Sequence, residues 1–239
     1  MTINNCAKIW EDTERSLYAA LYCISKPSAN AKTGDMLQLA IMPLELSPTQ
    51  AQKQKQQHNC GTGATACPIK SICYVNTVSL VDVWRLTAAE TVQQIPQQNK
   101  PLRLGSWGDP GLLPLDLLEQ LTSSNPYGHT GYTHLWPHID AKYSKYLMAS
   151  IDQPTAQAQS LDIEQLTSKA HKLGYRTYRI KLPGQQLLTT EIECLASSQN
   201  KQCRECKQCN GTRGKYKRSI AIDVHGAPNK IAAYKKLAA

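Results

Sequence analysis

Seven of the nine cysteines of this chain stand in two groups. Cys60, Cys67 and Cys73 lie in NCGTGATACPIKSICY, and Cys194, Cys203, Cys206 and Cys209 lie in ECLASSQNKQCRECKQCNG. The run Cys203-x2-Cys206-x2-Cys209 lets three thiolates converge on one compact inorganic centre, which is how iron–sulfur clusters are held. A group of four can ligate such a centre entirely from protein. A group of three leaves a coordination position open, and an open position is where chemistry happens. Zinc is the competing metal, but its structural sites prefer paired Cys-x2-Cys knuckles separated by a longer loop. The middle cysteine of the run suits ferredoxin-type ligation better. The first group, Cys-x6-Cys-x5-Cys, is spaced more loosely, and buried free thiols are its competing reading. Cys6 and Cys23 read as ordinary buried thiols.

Other residues could bind rather than ligate. Gly105, Gly108, Asp109 and Gly111 form either a plain turn or a place where backbone approaches a ligand. Ser150 and Asp152 stand at a strand end, to cap a following helix or to bind a ligand. His129, His134 and His138 cluster in YGHTGYTHLWPH and read as satisfied, non-ligand histidines. His225 ends the last strand, facing the same rim. Trp107 and Trp136 stack on a ligand or lid a cluster.

The formal net charge is +9. Lys201, Arg204, Lys207, Arg213, Lys215, Lys217 and Arg218 surround the second cysteine group, with Glu205 opposing them. This basic stretch, 201–218, either compensates the negative charge of a thiolate-held cluster or faces nucleic acid. The segment MTINNCAKIWEDTERS has acids and no apolar core, so it does not read as a signal peptide. No apolar run approaches the ~18 residues that span a bilayer. The chain therefore reads as cytoplasmic, with no membrane partner and reduced thiols. An odd cysteine count also fits a disulfide framework poorly.

The elements that must position these residues alternate. A helix is expected over 10–22, then a strand over 36–46, and a loop or frayed helix through SPTQAQKQKQQHN to Cys60. After Cys73 the pattern predicts a helix over 83–95, a strand over 101–107 and a helix following Pro114. Further strands are expected at 131–136, 146–151, 175–182 and 219–226, with helices at 137–145 and 161–173. Alternation implies parallel pairing through right-handed crossovers, and such strands can close a partial barrel. Its sites lie beyond the carboxyl ends of the strands, where the first cysteines, Gly108-Asp109 and Asp152 all fall.

On these residues the chain resembles the radical S-adenosylmethionine (SAM) superfamily. The resemblance implies an α/β fold, a partial (β/α)6 barrel, with a [4Fe–4S] cluster on three cysteines in the loop after the first strand. Cys60, Cys67 and Cys73-Tyr74 match that place. LGSWGDPGLLP resembles the Gly-Gly-Glu-Pro stretch that holds the methionine amino group, with Asp109 in place of the glutamate, and Ser150-Ile151-Asp152 is similar to the ribose-binding strand end. The cysteine spacing is longer than the Cys-x3-Cys-x2-Cys most members use. The blocks SWGDP, GYTHLW, MASID and CxxCxxCNG are also similar to those of a group of uncharacterised phage and plasmid proteins.

The resemblance implies an N-terminal extension at 1–35, the barrel at 36–193 with its cysteine loop at 60–73, a cysteine-rich segment at 194–214, and a last strand with a basic tail at 215–239. It further implies reductive SAM cleavage at the three-cysteine cluster, an auxiliary four-cysteine cluster, and an electron donor as partner. SAM would be held by Gly108, Asp109, Ser150 and Asp152. The alternative class is a non-catalytic iron–sulfur or zinc protein that binds nucleic acid.

Overall fold

Residues 3–24 form a hairpin where a helix was expected over 10–22: β1 (Ile3–Asp12) and β2 (Leu17–Ile24) pair antiparallel. Leu17/Leu21 and Tyr18/Tyr22 have helical i,i+4 spacing, yet the same residues also alternate. Leu17, Ala19 and Leu21 enter one apolar cluster, and Tyr18, Ala20 and Tyr22 enter another. Both faces of β2 are buried, and a central strand has two apolar faces rather than one stripe. The turn closes where Asp12 Oδ1 accepts from the Arg15 N–H at 3.0 Å. The structure, a computed structural model, describes residues 3–24, 32–54, 58–73, 75–88, 99–212, 215 and 217–239.

β3 (Leu37–Pro43) is buried at every residue. It pairs antiparallel with β2 and parallel with β4 (Leu102–Trp107). Parallel pairing then continues from β4 to β5 (His129–Thr130), and from β6 (Tyr132–Thr133) to β7 (Met148–Ile151) and β8 (Thr177–Lys181). β9 (Glu191–Glu193) and β10 (Ser219–Asp223) complete the set, β10 lying parallel between β8 and β9. The molecule is mixed α/β, with two parallel-rich sheets ordered β1-β2-β3-β4-β5 and β6-β7-β8-β10-β9. Gly131 alone separates β5 from β6. Its N–H donates to the Cys209 carbonyl at 2.8 Å, and its carbonyl accepts from the Met148 N–H at 3.0 Å.

The expected strands are present, trimmed at their ends. The expected strand at 131–136 is the short pair β5 and β6, and the helix at 137–145 is one 3-10 segment, Ala141–Lys145. The polar stretch before Cys60 holds α1 (Pro48–Lys53), started by a capping box between Ser47 and Gln50. α2 (Val81–Ala88) is the described part of the helix expected over 83–95; residues 89–95 lie outside the described set. α3 (Leu115–Ser123) follows Pro114 as expected. α4 (Gln153–Ala158) was not anticipated; Asp152 caps it. α5 (Ile163–Lys172) has its own capping box, Asp162 with Gln165. Short helices α6 (Leu195–Ser198) and α7 (Cys203–Cys206) carry the second cysteine group. The basic tail after β10 is α8 (Pro228–Leu237), with Pro228 opening its first turn.

The second sheet has two different faces. Ala149 and Ile151 of β7 pack with Leu166 and Ala170 of α5. Met148, on the opposite face, packs with Cys209 and Ile220, beside Tyr132, Tyr178 and Cys194. The second cysteine group therefore lies against the sheet face away from α5. All nine cysteines are free thiols. Cys6 is buried in a core cluster and Cys23 packs against another, as expected of structural thiols. Among the described residues no helix is long and apolar enough to cross a membrane.

Candidate metal centres

The first cysteine group rides on the loop after β3. Single 3-10 turns fold this loop back on itself, and the Cys67 N–H donates to the Cys60 carbonyl at 2.9 Å. Asn59, fully buried, ties the loop to two strand ends. Its Nδ2 donates to the Ile41 carbonyl at 2.8 Å, and its carbonyl accepts from the Asp109 N–H at 2.7 Å. Gly108 fills the crossing. It has φ +83°, and a Cβ there would stand 2.8 Å from the Ile41 carbonyl oxygen. Gly108 also offers its N–H to the Cys60 sulfur. Burial pushes the Cys60 thiol well up, and Cys67, Asp109 and Cys73 nearby add to the rise. Burial raises Cys73 as well, against the Val75 N–H. Tyr74 lies outside the described residues.

The two acids singled out in the sequence both meet His134. Asp109 Oδ2 accepts from the His134 N–H at 2.7 Å, and its Oδ1 accepts from the Gly111 N–H at 2.8 Å. Asp152 is 0% exposed. Its Oδ1 accepts from the Thr155 N–H and hydroxyl at 2.8 Å each, and its Oδ2 lies 2.9 Å from His134 Nε2. The other imidazole nitrogen, Nδ1, stands 3.8 Å from Cys67 Sγ. Asp109 is thus a turn former and Asp152 a helix cap, and both also hold the histidine beside the first cysteines. Burial opposes charge on His134, but Cys67 and Asp152 outweigh it and hold its pKa well above the usual imidazole value. Burial also opposes charge on Asp152; the bonds from His134 and Thr155 prevail and lower its pKa. Ser150 stands on the same strand end, its carbonyl accepting from Trp136 Nε1 at 3.1 Å. Trp107 and Trp136 are packed into core clusters, and His129 Nε2 bonds the Tyr146 carbonyl.

The second group encloses space. Cys194, Cys203, Cys206 and Cys209 line one cavity of about 80 Å³. Tyr132, Tyr178, Ile220 and Ile222 form its apolar wall, and Lys32, Arg103, Lys201 and Lys207 reach the same cavity. His225 lines it too, and it also lines a smaller cavity against Ile69 and Ile72 of the first cysteine loop. Burial raises the Cys194 thiol, raises Cys203 to about 11, and raises Cys209 further. Arg103 and Lys32 oppose the rise at Cys203.

The segment is pinned by Arg176, which is buried. Its guanidinium donates to the carbonyls of Gln208 and Gly211, at 2.8 Å each, and to the Arg218 carbonyl. The Cys203 and Arg204 N–H groups bond the carbonyls of Lys32 and Thr33.

These contacts redistribute the basic stretch. Lys201 and Lys207 face the cavity, Arg204 pairs with Glu205 at 3.6 Å, and Arg218 donates to the carbonyls of Thr189 and Glu191. Lys215 and Lys217 are exposed, and Arg213 lies outside the described residues. A wider groove of about 1250 Å³ runs beside the first cysteine loop and carries Glu11, Asp12, Glu14, Glu45 and Asp140.

Sequence reasoning placed both cysteine groups and both acids. It missed the role of His134, the guanidinium of Arg176 and the cations Lys32 and Arg103. Only the stretch GYTHLWPH hinted at any of them. Among the described residues no three His, Cys, Asp or Glu side chains stand together as ligands of a single metal ion. Comparison with protein-family models, curated proteins and solved structures finds no match.

Proposed function

We propose that this chain is an iron–sulfur protein of the radical SAM type, with a [4Fe–4S] centre on Cys60, Cys67 and Cys73 and an auxiliary one on Cys194, Cys203, Cys206 and Cys209. The observation that carries the reading is the second cavity, where four thiols and four cationic side chains face one small space. Thiolates need positive neighbours to stay ionised, and a thiolate-held cluster is a net anion. The Cys203-x2-Cys206-x2-Cys209 spacing suits a multi-atom centre better than the paired knuckles of structural zinc.

The SAM part of the reading rests on placement. β3, β4, β5 continued by β6, β7, β8 and β10 follow in chain order, each next to its predecessor. That order suits a partial barrel, with 36–193 and the cysteine segment packed as one body. The three-cysteine loop follows β3, Gly108-Asp109 follows β4 and Asp152 follows β7. When bound, a three-cysteine cluster supplies the electron that cleaves the sulfonium of SAM. The chain's own residues would position that ligand. Asp109 and Asp152 give the first site negative charge that favours a cationic ligand. Both Asp109 oxygens and Asp152 Oδ2 keep a second lone pair beside their present bond, whereas Asp152 Oδ1 already accepts two. Those lone pairs would accept from an ammonium and a ribose. The substrate's chemistry is not part of the proposal.

The test is anaerobic reconstitution with iron, sulfide and zinc assays. About eight irons per chain with matching sulfide are expected; stoichiometric zinc without sulfide overturns the reading. SAM added to the reduced protein should change the paramagnetic resonance spectrum and yield 5′-deoxyadenosine. Asp109→Asn should weaken SAM binding roughly ten- to a hundred-fold, the worth of one charge-assisted bond. A spectrum unmoved by SAM, with no 5′-deoxyadenosine formed, rejects the enzyme and leaves an iron–sulfur protein.

A further inference from the structure

We infer that the wide groove lined by the β1–β2 turn, the residues after β3 and the segment 135–143 docks a lysine- and arginine-rich peptide segment of a partner protein. The inference is independent of the iron–sulfur reading, because no cysteine lines this groove. At about 1250 Å³ the groove exceeds the roughly 300–1000 Å³ of small-ligand pockets and suits a stretch of chain.

Two kinds of group in the lining attract cations. The first is carboxylate. Glu11, Asp12 and Glu14 come from the end of β1 and its turn, Glu45 from the residues after β3, and Asp140 from the segment before Ala141–Lys145. Three of these have neighbours. Lys8 pairs with Glu11 at 2.7 Å, Arg15 with Asp12 at 3.4 Å, and Asp140 caps the 3-10 turn that follows it, with Lys142 at 4.0 Å. Glu14 and Glu45 are exposed, and among the described residues no cation pairs with either. The second kind is aromatic. Trp10 and Tyr143 line the same groove, both half-buried. An aromatic ring attracts ammonium and guanidinium groups to its face.

The groove runs against the charge of the chain. The chain carries +9, whereas the groove holds five carboxylates against one guanidinium, Arg15, and two imidazoles, His58 and His138. A cleft lined by one sign of charge concentrates the opposite sign. A cationic peptide is therefore drawn here and repelled by the basic stretch 201–218. Leu46, Leu113, Leu135 and Ile139 also line the groove. They offer apolar contacts that a peptide's side chains can use and a free polyamine cannot.

The experiment uses the full chain and a labelled peptide of alternating arginine and valine, read by fluorescence anisotropy. Its counterpart with glutamate for arginine, and spermine, are the controls. The arginine peptide should bind, the glutamate peptide should not, and added salt should weaken binding. Trp10 emission should change on binding, and Trp10→Phe should remove that change. The double variant Glu14→Gln, Glu45→Gln should weaken binding roughly two- to thirty-fold, the worth of two exposed ion pairs. Both positions are on the surface, so the fold survives the substitutions. Glu205→Gln, an exposed acid outside the groove, should leave the affinity unchanged. No binding, or equal affinity in the double variant, overturns the inference. A loss in Glu205→Gln as large as in the double variant overturns the location. Spermine that displaces the peptide with matching affinity overturns the assignment to a peptide.

Discussion

The two cysteine groups sit in opposite electrostatic surroundings. Around Cys194, Cys203, Cys206 and Cys209 stand Lys32, Arg103, Lys201 and Lys207. Around Cys60, Cys67 and Cys73 stand the carboxylates of Asp109 and Asp152, with His134 between them. Thiolates ringed by cations are compensated by the protein itself and suit a closed, anionic centre. At the first group the carboxylates are partly offset by His134, bonded to Asp152, and by Lys230 acting on Cys73, so fewer cations face these sulfurs than face the second group. The fastening differs as well. A guanidinium holds the second group through carbonyls, whereas the first hangs on Asn59, a glycine crossing and a histidine.

Arg176→Leu should separate the two regions most strongly. It leaves the carbonyls of Gln208, Gly211 and Arg218 without their donor. The bond to Gly211 is buried and those to Gln208 and Arg218 are part-buried. A buried group left unpaired costs about 1–3 kcal/mol, so a loss of about 1–3 kcal/mol is expected in denaturant unfolding. Iron at the second group should fall while the signal of the first persists. Simultaneous loss of both centres would show that the two regions fold as a single unit.

Gly108→Ala is the converse break. A positive φ costs an L-residue about 1–2 kcal/mol, and the new Cβ would press on the Ile41 carbonyl. Loading of the first centre should drop, with the second unchanged; equal loading of both in wild type and variant contradicts the crossing's importance.

pH sharpens the contrast further. The Cys203 thiol is raised from its ordinary 9.0 to about 11. A raised pKa favours the neutral thiol in the folded chain. That stability is complete below pH 9.0 and is lost as pH climbs toward about 11. Thermal unfolding of metal-free protein should show this decline, and Cys203→Ser should remove its share. Loaded protein should lack the decline, because a ligating thiolate has no proton to release. The smallest effect belongs to Glu205→Gln. Its pair with Arg204 is exposed, and breaking it should change stability by less than about 1 kcal/mol.

Much of the frame was legible. The strands from 36 to 223 other than β9 were placed because their apolar runs are bounded by glycine, proline and turn residues; β9, three residues with two glutamates, has no such run. The hairpin at 3–24 was not, since Leu17, Tyr18, Leu21 and Tyr22 satisfy helical spacing and alternation equally well. Pairing against β3 chose between them. α4 was hidden because the next helix was expected only from 161. Asp152, weighed as a cap or a ligand contact, was not given a helix of its own, although its spacing to Thr155 is that of an N-cap. The site followed the same division. Cysteines at fixed intervals announce themselves, whereas the roles of His134 and Arg176 depend on partners far along the chain: Cys67 and Asp152 for one, Gln208 and Gly211 for the other.

By itself, then, the sequence determined the grouping of the thiols, their position after strands, and the helix starts at Ser47 and Asp162. These are properties of neighbouring residues, set by spacing and by side chains that bond their own backbone. Only the tertiary structure decided which charges face which sulfurs. Lys32, Arg103 and Lys207 come from distant stretches to one cavity. Asp109 and Asp152 arrive from different strand ends at one histidine. Charge acts through space, so its partners are fixed by the packing of sheets and loops and leave no periodic trace along the chain.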